Sequence, residues 1–106
     1  MEPTTVVNIR HQNYDVYIGR KGHGHDGYFG NPIKPMTWCQ VCGHAHNRGE
    51  TLDCYKSYFL DRVTKDREFR ARVEALKGKR LGCFCKPKKR CHGDTIAAYL
   101  NGDLLP

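Results

Sequence analysis

Four soft metal ligands fall close together in Trp38-Cys39-Gln40-Val41-Cys42-Gly43-His44-Ala45-His46. Zinc takes thiolate sulfur and imidazole nitrogen in a tetrahedron, with Zn–S near about 2.3 Å. A Cys-x-x-Cys pair on a tight turn supplies two corners. The glycine after Cys42 permits the positive φ that such a turn needs. His44 and His46 are near enough to supply the others. The spacing therefore predicts a zinc knuckle with Cys39, Cys42, His44 and His46 as metal ligands. Successive ligands on so short a stretch strain the loop, so a remote ligand is the alternative. Cys54, in the first turn of the following helix, is one such residue, and the cysteines around Cys83 are others. A redox pair fits less well, because those motifs start a helix after a strand. The plain alternative is a pair of unligated thiols in a loop.

A second cluster runs Cys83-Phe84-Cys85-Lys86-Pro87-Lys88-Lys89-Arg90-Cys91-His92-Gly93-Asp94. On a strand, Cys83 and Cys85 share a face, and Cys91 and His92 return after a short loop. Three thiols and an imidazole can bind a second metal. They can also form an anion-binding or catalytic pocket, since ligands of α/β folds sit at the carboxyl ends of strands, beside helix N-termini. Lys86, Lys88, Lys89 and Arg90 would surround that pocket with positive charge. The plain alternative is small core cysteines and an Asp94 that only caps a helix. His23, His25 and Asp26 are a weaker set, open to a metal, a lid or neither role.

The elements that must position these residues follow from pattern. Thr5–Arg10 and Tyr14–Ile18 are rich in β-branched and aromatic residues and read as strands close enough to form a hairpin. Gly19–Pro35 is a glycine- and proline-rich loop. From about Thr51, a fair N-cap, Leu52, Tyr55, Phe59 and Val63 recur at helical spacing. A second helix follows Asp66, with Phe69, Val73 and Leu76 on one face and Gly78 as its stop. Arg80–Cys85 reads as a third strand, and the segment after His92 as a last helix closed by Gly102. The order is β-β-α-α-β-α. This is a small α/β or α+β domain, with a mixed sheet of about three strands, about three helices and a Cys/His-rich insertion over about 36–49.

A chain of 106 residues makes one domain, 1–106, the sensible expectation. With 39% hydrophobic residues its core is lean. No apolar run approaches the roughly 18 residues of a membrane span. Met1–Thr5 lacks a charged start followed by an apolar stretch, so a secretory leader is not expected. That places the chain in the cytoplasm, where its six cysteines stay reduced and favour metal over disulfides. A net charge of +7 points to an anionic partner, nucleotide or nucleic acid, and without an apolar span no membrane partner is expected.

Tyr17-Ile18-Gly19-Arg20, Phe29-Gly30-Asn31-Pro32, Gly78-Lys79-Arg80-Leu81-Gly82-Cys83-Phe84-Cys85-Lys86-Pro87 and Cys91-His92-Gly93-Asp94 together resemble a phage and bacterial family, domain of unknown function number 4326. The resemblance runs from about Val6 to Leu100. It implies a small intracellular α/β protein, often phage-encoded. It marks Arg20, Asn31, Cys85, Cys91, His92 and Asp94 as functional positions. The chain departs from the usual pattern at Gly22–Asp26, which lengthens a loop, and at Cys39–His46, which looks like an insertion.

Two function classes follow. In the first, the glycine-rich loop with Arg20 and Asn31 faces the Cys91-His92-Gly93-Asp94 corner and binds a phosphate-bearing, nucleotide-like ligand, with Cys85 and Lys86 beside it. Hydrolysis or group transfer would use His92 as acid or base, Cys85 or Cys91 as nucleophile and Asp94 as orienting group. In the second, a zinc-stabilised module binds nucleic acid without sequence readout. It would use the seven Lys and Arg of Lys77–Arg90 and the rings of Tyr14, Tyr17, Tyr28, Phe29 and Trp38. A third reading is a phage factor that binds a host protein.

Overall fold

The computed structural model describes residues 3–20, 22, 24–47, 50–83 and 91–104. The elements are β1 (Thr5–Asn8), β2 (Val16–Tyr17), α1 (Leu52–Lys65), α2 (Arg67–Glu74), β3 (Arg80–Cys83) and α3 (His92–Leu100). Their order is the expected β-β-α-α-β-α, in a mixed α/β architecture.

The expected hairpin is absent. β3 lies between β1 and β2, pairing with both in parallel, so the sheet is parallel and not mixed. Leu81, Gly82 and Cys83 are buried and form the centre of the sheet. A strand covered on both faces is the natural middle strand of a parallel sheet. β1 and β2 are instead edge strands, each only partly buried. β2 is held at its start by Asp15, whose N–H donates to the Arg80 carbonyl (2.8 Å) and whose carboxylate accepts from the Arg80 N–H (2.8 Å). The Arg80 side chain beside it holds the Asp15 carboxyl below its ordinary range.

The helices follow the apolar periodicity. Tyr55, Phe59 and Val63 of α1 are buried, as are Phe69 and Val73 of α2. The Phe59 ring meets the rings of Phe69 and Tyr99 edge-on. Asp66 caps α2 by accepting from the Phe69 N–H (3.0 Å). Gly78, at φ 79°, lies at the turn toward β3. No helix of the described residues is long and apolar enough to cross a membrane.

α3 starts directly over the sheet. A Cβ on Gly93 would lie 2.5 Å from Ile18 Cδ1 and 3.1 Å from Val6 Cγ1. Ile18 is fully buried. Overpacking of this kind costs about 1–3 kcal/mol, against a helix-propensity gain of at most about 1 kcal/mol for alanine. Gly93→Ala should therefore destabilise the protein by about 1–2 kcal/mol in urea unfolding. An unchanged or raised midpoint would show that Ile18 yields and that the close approach is no constraint.

Candidate functional site

The long connection between β2 and α1 carries the site. Its start is fixed by Arg20, whose guanidinium donates to the carbonyls of Asn31 (2.7 Å) and Ile33 (3.1 Å). Gly30 lies under this clamp: a Cβ there would sit 2.8 Å from the Gly19 carbonyl and 3.0 Å from Arg20 Cα. The buried Asn31 side chain accepts from the Ile33 N–H (2.9 Å) and donates to Thr51 Oγ1 (3.0 Å). Thr51 occupies the N-cap position of α1, but its side chain makes no cap bond, and its hydroxyl serves this tie instead.

Beyond Ile33 the chain folds back as a small hairpin. The Met36 N–H donates to the His46 carbonyl (2.6 Å), and Trp38 bridges to Ala45. Gly43 takes a φ of 77°, the left-handed turn expected after Cys42. One ligand atom each from Cys39, Cys42, His46 and Cys54 all lie within 4.8 Å of one another. His46 Nε2 is 3.3 Å from both Cys42 Sγ and Cys54 Sγ. A tetrahedral site with Zn–S about 2.3 Å and Zn–N about 2.0–2.1 Å has edges of about 3.6 Å. These four residues could hold a metal ion with little movement.

His44 lies outside this group. It contributes its backbone carbonyl, which accepts from the Cys39 N–H (3.1 Å). The turn that brings Cys39 and Cys42 together uses His44 in its backbone bonding. The helix that follows supplies Cys54 as the fourth corner. Cys39 Sγ accepts the Val41 N–H (3.4 Å). Its thiol is pushed down to about 6, first by the Cys42 amide, while burial pushes the Cys54 thiol up to about 11. The Cys39 sulfur thus carries charge ahead of that of Cys54, and a bound dication would displace the remaining protons.

The second cluster divides. Cys85, Lys86 and the rest of 84–90 lie outside the described residues. Cys91 is the N-cap of α3, and its sulfur accepts from the Gly93 N–H (3.4 Å). Asp94 accepts from the Cys91 N–H (3.1 Å), completing a reciprocal cap. His92 is buried, with Nε2 2.7 Å from the Ile18 carbonyl. A carbonyl only accepts, so Nε2 carries the hydrogen. Burial lowers the His92 pKa and keeps the ring neutral. Cys91 and Asp94 cap the start of α3, and His92 ties it to Ile18, just past the end of β2. His25 stacks on Tyr17, Asp26 caps a turn at Tyr28, and neither joins the metal group. His23 lies outside the described residues.

Arg20 and Asn31 face a different space, a cleft of about 410 Å³ between the glycine-rich loop and α1. It is also lined by Lys34, Tyr28, Tyr58 and Arg62, and among the described residues its lining holds no carboxylate. Arg62 is fixed by a bond to Tyr58 Oη (2.7 Å) and lies 4.1 Å over the Phe69 ring. Lys34, Tyr58 and Arg62 escape a reading of motifs. The only sequence signal, for two of them, is the i, i+4 spacing of Tyr58 and Arg62 on α1 with Asp66 just past its end.

The model of the family described as Domain of unknown function (DUF4326) matches residues 5–102. The chain belongs to this family. An "Uncharacterized 12.4 kDa protein in nrdA-td intergenic region" of Enterobacteria phage T4 is 36% identical to it over 97 residues, spanning 91% of this chain and 76% of the phage protein. No solved structure matches. The expected family thus holds, and this DUF4326 chain is related to a phage protein.

Two predictions follow from the site. Purified protein should carry one metal ion per chain by elemental analysis, lost in Cys54→Ser and retained in His44→Ala. Loss in His44→Ala with retention in Cys54→Ser would restore the local four-ligand knuckle. The second concerns His92, whose folded pKa lies below its unfolded value of about 6.5. In the window between them the unfolded chain binds more protons, so stability rises with pH. The contribution is full above about 6.5 and is lost as pH falls toward the folded pKa. Metal-saturated wild type should therefore lose stability on acidification more steeply than His92→Asn. Parallel curves between about pH 6.5 and 5 would refute the assignment.

Proposed function

We propose that this protein is a zinc-stabilised binder of a phosphate-bearing, nucleotide-like ligand, with Cys39, Cys42, His46 and Cys54 as zinc ligands. Three sulfurs and one imidazole suit zinc, and a closed four-ligand set suits a structural role. The observation that carries the ligand reading is the cleft beside it. Arg20, Lys34 and Arg62 converge there without a carboxylate, beside the rings of Tyr28 and Tyr58. Its volume falls in the range of small-molecule sites. Arg20 spends two of its five N–H groups on carbonyls and keeps others for a phosphate. The reading supports binding; the side chains of Cys91, His92 and Asp94 are engaged in closing α3. Relation to a phage protein supports a place in the host cytoplasm.

Calorimetric titration with inorganic pyrophosphate and with nucleoside triphosphates tests this. Lys34→Ala and Arg62→Ala should each weaken binding by about tenfold, since hydrogen bonds to charged groups contribute about 1.5–3 kcal/mol. Lys65→Ala, paired with Asp61 on the outer face of α1, should leave it unchanged. Absence of saturable binding at low salt would sink the proposal.

A second reading, single-stranded nucleic acid, is favoured by Trp38. It is the chain's one tryptophan, it is 71% exposed, and it rides on the hairpin that the metal would hold. No carboxylate occurs between Asp26 and Glu50. Stacking on a base is worth about 1–3 kcal/mol. An oligonucleotide should then quench Trp38 fluorescence in a salt-dependent way, whereas a mononucleotide seated in the cleft should not.

A further inference from the structure

The described cysteines form two separate sets. Three belong to the metal group, and the other two meet at the start of α3. Cys83 Sγ, at the end of β3, is 3.2 Å from Cys91 Sγ at the N-cap of α3, and both residues are buried. Cys91 Sγ also lies 3.7 Å from His92 Nδ1 and accepts the Gly93 N–H. Nothing in the binding reading above uses this sulfur pair.

We propose that Cys83 and Cys91 form an oxidisable dithiol, a modification site that closes reversibly to a disulfide with peroxide as oxidant. The sulfurs need to approach by only about 1.2 Å to reach a bonded separation of about 2.05 Å. Attack requires a thiolate, and Cys91 lies where helix amides favour negative charge. Peroxide first oxidises one thiolate to a sulfenic acid, releasing water. The second thiol then attacks that sulfur, and a second water leaves. The two thiols thereby lose two protons and two electrons, and one peroxide becomes two waters. Burial admits a small oxidant more readily than a bulky disulfide. Metal coordination would hold Cys39, Cys42 and Cys54 out of the reaction. The bond would staple the end of β3 to the start of α3 and fix both ends of the basic 84–90 segment.

The experiment treats the full-length, zinc-loaded protein with hydrogen peroxide and maps its peptides without reduction. The expected product is 2 Da lighter, has its link between Cys83 and Cys91, reverts with dithiothreitol, and forms equally in Cys85→Ser. Cys83→Ser should not form it. If that variant does not fold, the wild-type peptide map alone decides. A link to Cys85, Cys39, Cys42 or Cys54 overturns the proposal. So does a product carrying added oxygen with no link, or a second metal equivalent per chain that Cys91→Ser loses. Ligand titration is unaffected by this assay, so failure here leaves the cleft reading standing.

Discussion

Two hydrogen bonds from the Arg20 guanidinium, to the carbonyls of Asn31 and Ile33, hold the segment between β2 and α1 in place. Among its described residues that segment has no helix or strand of its own, so its backbone polar groups need partners from outside a regular ladder. Arg20 supplies two of them. Asn31 extends the tie to Thr51 and so to the start of α1. Cys54 sits one turn into that helix and faces the hairpin carrying Cys39, Cys42 and His46. A chain of contacts therefore runs from the end of β2, through Arg20 and Asn31, to the fourth metal ligand. Disturbing its first member should be felt at its last.

The segments that carried the resemblance acquire physical jobs in this arrangement. Ile18 lends its carbonyl to His92 and its side chain to the space above Gly93. Gly30 is bare because the Gly19 carbonyl and Arg20 Cα leave no room for a Cβ. Cys91 and Asp94 cap each other's backbone at the start of α3. Tyr17 donates its hydroxyl to the Arg20 carbonyl (3.1 Å), which steadies the clamp. Residues spread over the whole chain thus meet at the carboxyl edge of a three-stranded parallel sheet. That is where α/β folds place ligands, and the cleft opens beside it.

Much of this was legible in the sequence, and the misses have identifiable causes. Helical periodicity located α1 and α2 because Tyr55, Phe59, Phe69 and Val73 each recur on one buried face. Strand pairing was not legible. Proximity favours a hairpin between β1 and β2, but Leu81-Gly82-Cys83 offers a fully buried central strand, and burial outweighs the loop cost of a distant pairing. At the metal group, Cys39, Cys42 and His46 stood out by spacing. Choosing His44 over Cys54 was a matter of reach. Spacing offers both residues, and only the fold, which sets the first turn of α1 against the hairpin, brings Cys54 and not His44 into the group. The cleft's Lys34 and Arg62 are invisible to motif reasoning, because they lie far apart in sequence on unrelated elements.

The cationic cleft carries an energetic implication of its own. Arg62 keeps Asp66 within 3.4 Å and Tyr58 Oη within 2.7 Å, so part of its charge is already answered. Arg20 likewise leans on neutral carbonyls, which hold its direction without cancelling its charge. Fixing long, flexible side chains in advance removes part of the ordering cost that binding otherwise incurs, up to about 1.5 kcal/mol for each rotamer-rich side chain. Two of the three cations are therefore held in position in advance, while Lys34 is exposed. Fixed guanidinium forks are donors that match the geometry of a phosphate's oxygens, whereas an exposed ammonium adds an attraction that salt screens.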